Sequence, residues 1–127
     1  MFIRYTNTNL SPALIDHFRN PRNVGELPPP AVLVEVSNPI CGDILRLTVL
    51  VTDGRIGEVR FKVRGCTASI ASGSALTELI AGRNRQELSS LTAADVEQAV
   101  GGLSNESKHA AALCVDAVRA LAVQIPQ

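Results

Sequence analysis

The sequence predicts an α+β fold in which a three-stranded antiparallel sheet packs against helices. Three observations predict it: a proline-capped helical segment comes first, the residues that alternate apolar and polar lie together between Val32 and Arg64, and only helix-period segments follow. Strands and helices thus fall into separate blocks instead of alternating as βαβ units.

Each element has its own signal. Ser11 and Pro12 open SPALIDHFRN as N-cap and first helical residue, and Leu14, Ile15 and Phe18 supply its apolar face. Asn20-Pro21, Gly25 and the run Pro28-Pro29-Pro30 end that helix and predict a stiff, extended connection, since a residue before proline is pushed out of the helical region. A first strand is expected from Val32 to Val36, and a second in DILRLTVLVT, where Leu45, Leu47, Val49 and Val51 share one side. Asp53-Gly54 is a two-residue hairpin signal. After it, Val59, Phe61 and Val63 alternate with Arg60, Lys62 and Arg64, which predicts a strand with one wet face. The small-residue run TASIASGSALTELIAG predicts a helix ending at Gly82. Thr92, with Asp95 three residues on, predicts a short helix ending at Gly101-Gly102. Ala110, Leu113, Cys114, Ala117, Val118 and Leu121 form the apolar stripe of a last helix between Ser104 and Gln124.

Composition bounds the function. With 127 residues, 46% apolar and 19% charged, the chain is expected to form one domain over 1–127, with 1–9 flexible. Its 12 basic and 12 acidic residues cancel and only four residues are aromatic, which argues against a nucleic-acid partner. No apolar run approaches the roughly 20 residues of a membrane span. Three widely spaced cysteines are not a disulfide framework and point to a reduced thiol or metal role in the cytoplasm.

The candidate chemistry lies in three places. Cys41 and Asp43 flank Gly42 in a tight loop, and both side chains are competent metal ligands; spacing alone leaves this open against a plain Asn-Pro turn. Cys66 stands where a strand gives way to a helix, at the positive end of the helix dipole, either as a reactive or metal-bound sulfur or as an inert buried one. His109 opens the last helix and is able to serve as a neutral ligand. His17 has no partner suggested by spacing beyond Asp16 and reads as structural. A cysteine-nucleophile enzyme using Cys66 with His109 as base lacks any sign of an oxyanion hole.

Together, ALIDHFRNPRNVGEL, NPICGDILRL, DGRIGEVRFKVRGCTASIASGSALTELIAG and the Gly-Gly-Leu that leads into a histidine-bearing helix resemble the scaffold family of iron–sulfur cluster assembly, IscU and the N-terminal domain of NifU, from about Leu10 to the C-terminus. The resemblance implies a scaffold, not an enzyme, that accepts sulfur and iron, builds a transient [2Fe–2S] cluster and passes it to apo-proteins. It implies Zn²⁺ as an alternative occupant of the same site, a cysteine desulfurase and apo iron–sulfur proteins as partners, and a monomer or weak homo-oligomer. Cys41, Asp43, Cys66 and His109 match family ligand positions, with Cys41 or Cys66 as sulfur acceptor. The family's third cysteine would follow the histidine, where Ala110 stands. Cys114 is the remaining candidate thiol, but it lies four residues further along a helix, roughly 6 Å up the axis and inside the apolar stripe, so the core is its expected place. Leu103 to Lys108 reads LSNESK where IscU proteins carry Leu-Pro-Pro-Val-Lys, which argues against handling by their dedicated Hsp70-type chaperone. With two thiols instead of three, the alternative is a zinc-bound sulfur relay or regulatory partner of a desulfurase.

Overall fold

The computed structural model describes residues 10–40 and 42–126. Cys41 and the flexibility expected for 1–9 lie outside the described residues. The elements run α1 (Pro12–Arg19), β1 (Val32–Ser37), β2 (Ile44–Thr52), β3 (Arg55–Arg64), α2 (Thr67–Ile80), α3 (Arg85–Ser89), α4 (Ala93–Ala99), a 3-10 turn (Asn105–Ser107) and α5 (Lys108–Ala122). The strands form one antiparallel sheet in the order β1-β2-β3.

Register follows the alternation of side chains. Val34 faces Leu47 and Leu47 faces Phe61, so one row of apolar side chains crosses the sheet, while Arg46 lies opposite Glu35 and Lys62 on the other face. Asp53 and Gly54 adopt φ of 54° and 75°, the left-handed pair that a two-residue hairpin needs. A register shift between Val49 and Val51 turns the end of β2, and Val51 is only partly buried.

Helices cover the apolar face: α5 packs on β1 and β2, and α2 on β3. The main core joins Leu45, Leu47, Phe61, Leu76, Ile80, Val118 and Leu121. The small residues of α2 allow a close approach, since a Cβ on Gly73 would lie 2.7 Å from the Phe61 ring. On the far side of α2, α1 seats Leu14 against Ala71, Ala75 and Val100. The Ser11 side chain accepts from the Leu14 amide as the N-cap of α1. Phe18, expected on the buried face, is 40% exposed, and His17 takes the inward position instead.

The connection between α1 and β1 is extended as expected, and it also runs along the free edge of β3. The amide of Gly25 donates to the Phe61 carbonyl at 3.0 Å, and the Phe61 amide donates to the Asn23 carbonyl at 2.9 Å. These bonds cover part of an edge that would otherwise stay open.

Candidate metal centre

Three loops meet at the end of the sheet where β2 begins and β3 finishes. The β1–β2 loop is closed by hydrogen bonds from Gly42 N to Asn38 O at 2.7 Å and from Asn38 N to Asp43 O at 2.8 Å. The Asn38 side chain accepts from Ile40 N at 2.9 Å, a turn that asparagine favours. Gly42 has φ of 77°, in the left-handed region that glycine enters freely. Asp43 therefore points inward and is 6% exposed.

Cys66 is the N-cap of α2, its own side chain making no capping bond. The thiol is exposed and lies 3.5 Å from Asp43 Oδ2 and 3.5 Å from His109 Nε2. His109 Nε2 is in turn 3.5 Å from the same Asp43 oxygen. The other imidazole nitrogen, Nδ1, is 2.9 Å from the Glu106 carbonyl oxygen. A carbonyl only accepts, so Nδ1 carries a proton, and whenever the ring is neutral the lone pair is on Nε2, on the side of Asp43 and Cys66.

Asp43, Cys66 and His109 thus form a group whose ligand atoms all lie within 4.8 Å of one another. The three separations of 3.5 Å have a chemical meaning. Tetrahedral bonds of about 2.0–2.3 Å to N, O and S place neighbouring ligand atoms roughly 3.4–3.6 Å apart. The triangle has the spacing for one metal ion, and among the described residues it supplies three corners of a tetrahedron. Burial acts to raise the Asp43 pKa, but the Ser69 hydroxyl, the Cys66 thiol and backbone amide, and the His109 ring together hold the carboxyl below its usual 3.8.

Cys114 is not in this group. It is 1% exposed within the main core, and burial pushes its thiol pKa up to about 12, so it stays a neutral, apolar side chain. Cys41 lies outside the described residues, two positions before Asp43 in sequence. His17 sits between α1 and α2, with Nδ1 2.8 Å from Ser74 Oγ, away from the triangle.

Two residues of the centre carry no signal in the sequence reading. Ser69 is buried on the first turn of α2, and its hydroxyl donates a short hydrogen bond to Asp43 Oδ2. A helix beginning after Cys66 brings the residue three further on back beside it, which is the spacing that would have found Ser69. Gly65 leaves the space that Asp43 fills, since a Cβ there would lie 2.5 Å from the carboxylate carbon.

The fold recurs in solved structures. A NifU-like protein (N-terminal) from Brucella abortus superposes with a TM-score of 0.63 at 18% identity, covering 93% of this chain and 83% of that one. The SUF-system protein FiSufU from Fervidobacterium islandicum gives 0.58 at 22% identity, covering 91% and 89%. By sequence, the iron–sulfur cluster assembly scaffold protein IscU 1 of Archaeoglobus fulgidus is 38% identical over 109 residues, 86% of this chain and 71% of that protein. The IscU scaffold protein of Aquifex aeolicus is 40% identical over 98 residues, 76% of this chain and 62% of that protein. The sequence model of the NifU-like N terminal domain matches residues 10–126, and the chain belongs to that family.

Proposed function

We propose that this chain is an iron–sulfur cluster assembly scaffold whose cargo is built on Asp43, Cys66 and His109, with a further thiolate from Cys41, two positions before Asp43 in the sequence. The observation that carries this reading is the 3.5 Å triangle of one carboxylate, one thiol and one imidazole at the exposed end of the sheet. Thiolate, imidazole and carboxylate are all ligands that bind iron or zinc. The scaffold names of the relatives support the same reading.

The cargo we assign is a [2Fe–2S] cluster held by two thiolates, one carboxylate and one histidine, with Zn²⁺ as a competitor for the same atoms. Cys66 and Cys41 are the sulfur acceptors in this reading. Cys114 has no part in it, because reaching the triangle would take it out of the core. A cysteine desulfurase would supply sulfur and apo-proteins would receive the product, in the cytoplasm. The protein acts as a carrier: its side chains bind, hold and release, and none is assigned turnover. Among the described residues no helix is long and apolar enough to cross a membrane.

Anaerobic reconstitution with ferrous iron and sulfide, followed by assay of iron and acid-labile sulfide per chain, tests the reading. The parent should retain both, and Cys66→Ala should lose both. A parent that holds zinc but never iron with sulfide overturns it.

A further inference from the structure

We infer that Ser69 is a positioning residue for the metal centre: its hydroxyl fixes the Asp43 carboxylate at one corner of the triangle and so sets how tightly the centre holds a metal ion. The inference rests on the scaffold reading, since it takes Asp43 as a ligand.

Ser69 is 2% exposed, so water does not replace its hydrogen bonds. A hydroxyl carries a single proton. Here that proton goes to Asp43 Oδ2, while the Cys66 thiol lies 3.5 Å from both the serine oxygen and that same Oδ2. The accepting oxygen is the same Oδ2 that faces Cys66 Sγ and His109 Nε2 at 3.5 Å each. The bond therefore fixes the oxygen that meets the metal. Gly65 leaves room for the carboxylate, so Asp43 meets both a hydroxyl donor and a close-fitting backbone.

The neighbouring serines of α2 show that this role belongs to one position. Ser74 faces away from the centre, where it meets His17 and accepts from the Arg22 amide at 2.9 Å. Ser72 Oγ is buried with no hydrogen-bond partner. Ser69 alone among them is bonded to a group of the triangle. Partners that orient a metal ligand from behind are worth about 10–100-fold in metal affinity, and that is the size of effect expected here.

The test is titration with Co²⁺ alone, read by its absorbance bands, on the parent, Ser69→Ala, Asp43→Ala and the double variant. Ser69→Ala should bind Co²⁺ about 10–100-fold more weakly than the parent. In the Asp43→Ala background the same change should have almost no effect, because the group it acts through has gone. A purely structural role would lower affinity equally in both backgrounds. Ser69→Thr and Ser69→Val form a second pair of equal shape: threonine should keep parental affinity and valine should behave as alanine. Equal affinities within that pair, or an Ala effect that persists without Asp43, overturn the inference while leaving the scaffold reading intact. A parent that binds no Co²⁺ removes both.

Discussion

Gly65 is required by space, not by backbone conformation. A Cβ there would overlap the Asp43 carboxylate at 2.5–2.8 Å, against a side chain already hydrogen-bonded and buried. Gly65→Ala should displace Asp43 and weaken Zn²⁺ binding by about tenfold or more, as loss of ligand orientation does; calorimetric titration reads this, and parental affinity would show that the loop yields freely. Cys114 makes the opposite case, a thiol with a chemical name and a packing role. Its pKa of about 12, against an ordinary 9.0, means that folding favours the protonated form. That stability is complete below pH 9 and is lost as pH rises toward 12. At pH 8, iodoacetamide should label Cys66 in the native protein and reach Cys114 only after denaturant is added, as mass mapping would show. Equal labelling rates would remove Cys114 from the core. The apolar stripe around Cys114 announced its place in the sequence, whereas Ser69 and Gly65 resemble any other small residues until α2 is folded against the β1–β2 loop.

At the scale of elements, α1 is held to α2 through His17. Nδ1 of His17 lies 2.8 Å from Ser74 Oγ, and Nε2 lies 3.7 Å from Glu78. Burial first, then the Arg22 charge, lowers the His17 pKa below 6.5, outweighing Glu78 and Asp16, which act to raise it. The unfolded chain therefore takes up a proton more readily, so this contribution is complete above pH 6.5 and is lost as pH falls below that value. The melting temperature of the parent should drop between pH 7 and pH 5, and the drop should be smaller in His17→Gln; an unchanged slope would dissociate His17 from the effect. Most elements were legible in the sequence because their boundaries carry local chemistry: Ser11-Pro12 at α1, Asp53-Gly54 at the hairpin, and Thr92 with Asp95 at α4, where both bonds of the capping box form. Helix α3 was missed although Asn84 and Glu87 form the same reciprocal box. Five residues with one buried side chain, Leu88, offer too little periodicity to notice. Phe18 was misplaced because the deciding contact, His17 with Ser74, spans 57 residues of chain and leaves no local pattern.

For the whole molecule, the candidate centre depends on topology. Asp43 precedes β2, Cys66 follows β3, and His109 opens α5, and only the finished sheet with its helices brings the three together. The sequence supplied the residue types and, through resemblance, their grouping; it supplied neither the 3.5 Å spacing nor the proton assignment at His109, since both depend on where α5 docks. That spacing carries one more consequence. Three ligand atoms 3.5 Å apart describe the coordination sphere of a single ion, whereas a two-iron cargo shares its ligands between two centres. In the proposed role, loading such a cargo would separate at least one pair of the three groups, while a lone zinc ion would need none of them to move. By the general order of divalent affinities, zinc also outranks ferrous iron at nitrogen, oxygen and sulfur sites. If the chain is the proposed scaffold, discrimination in favour of iron would rest with the order and local concentration of delivery, because the three groups as they stand suit a lone zinc ion.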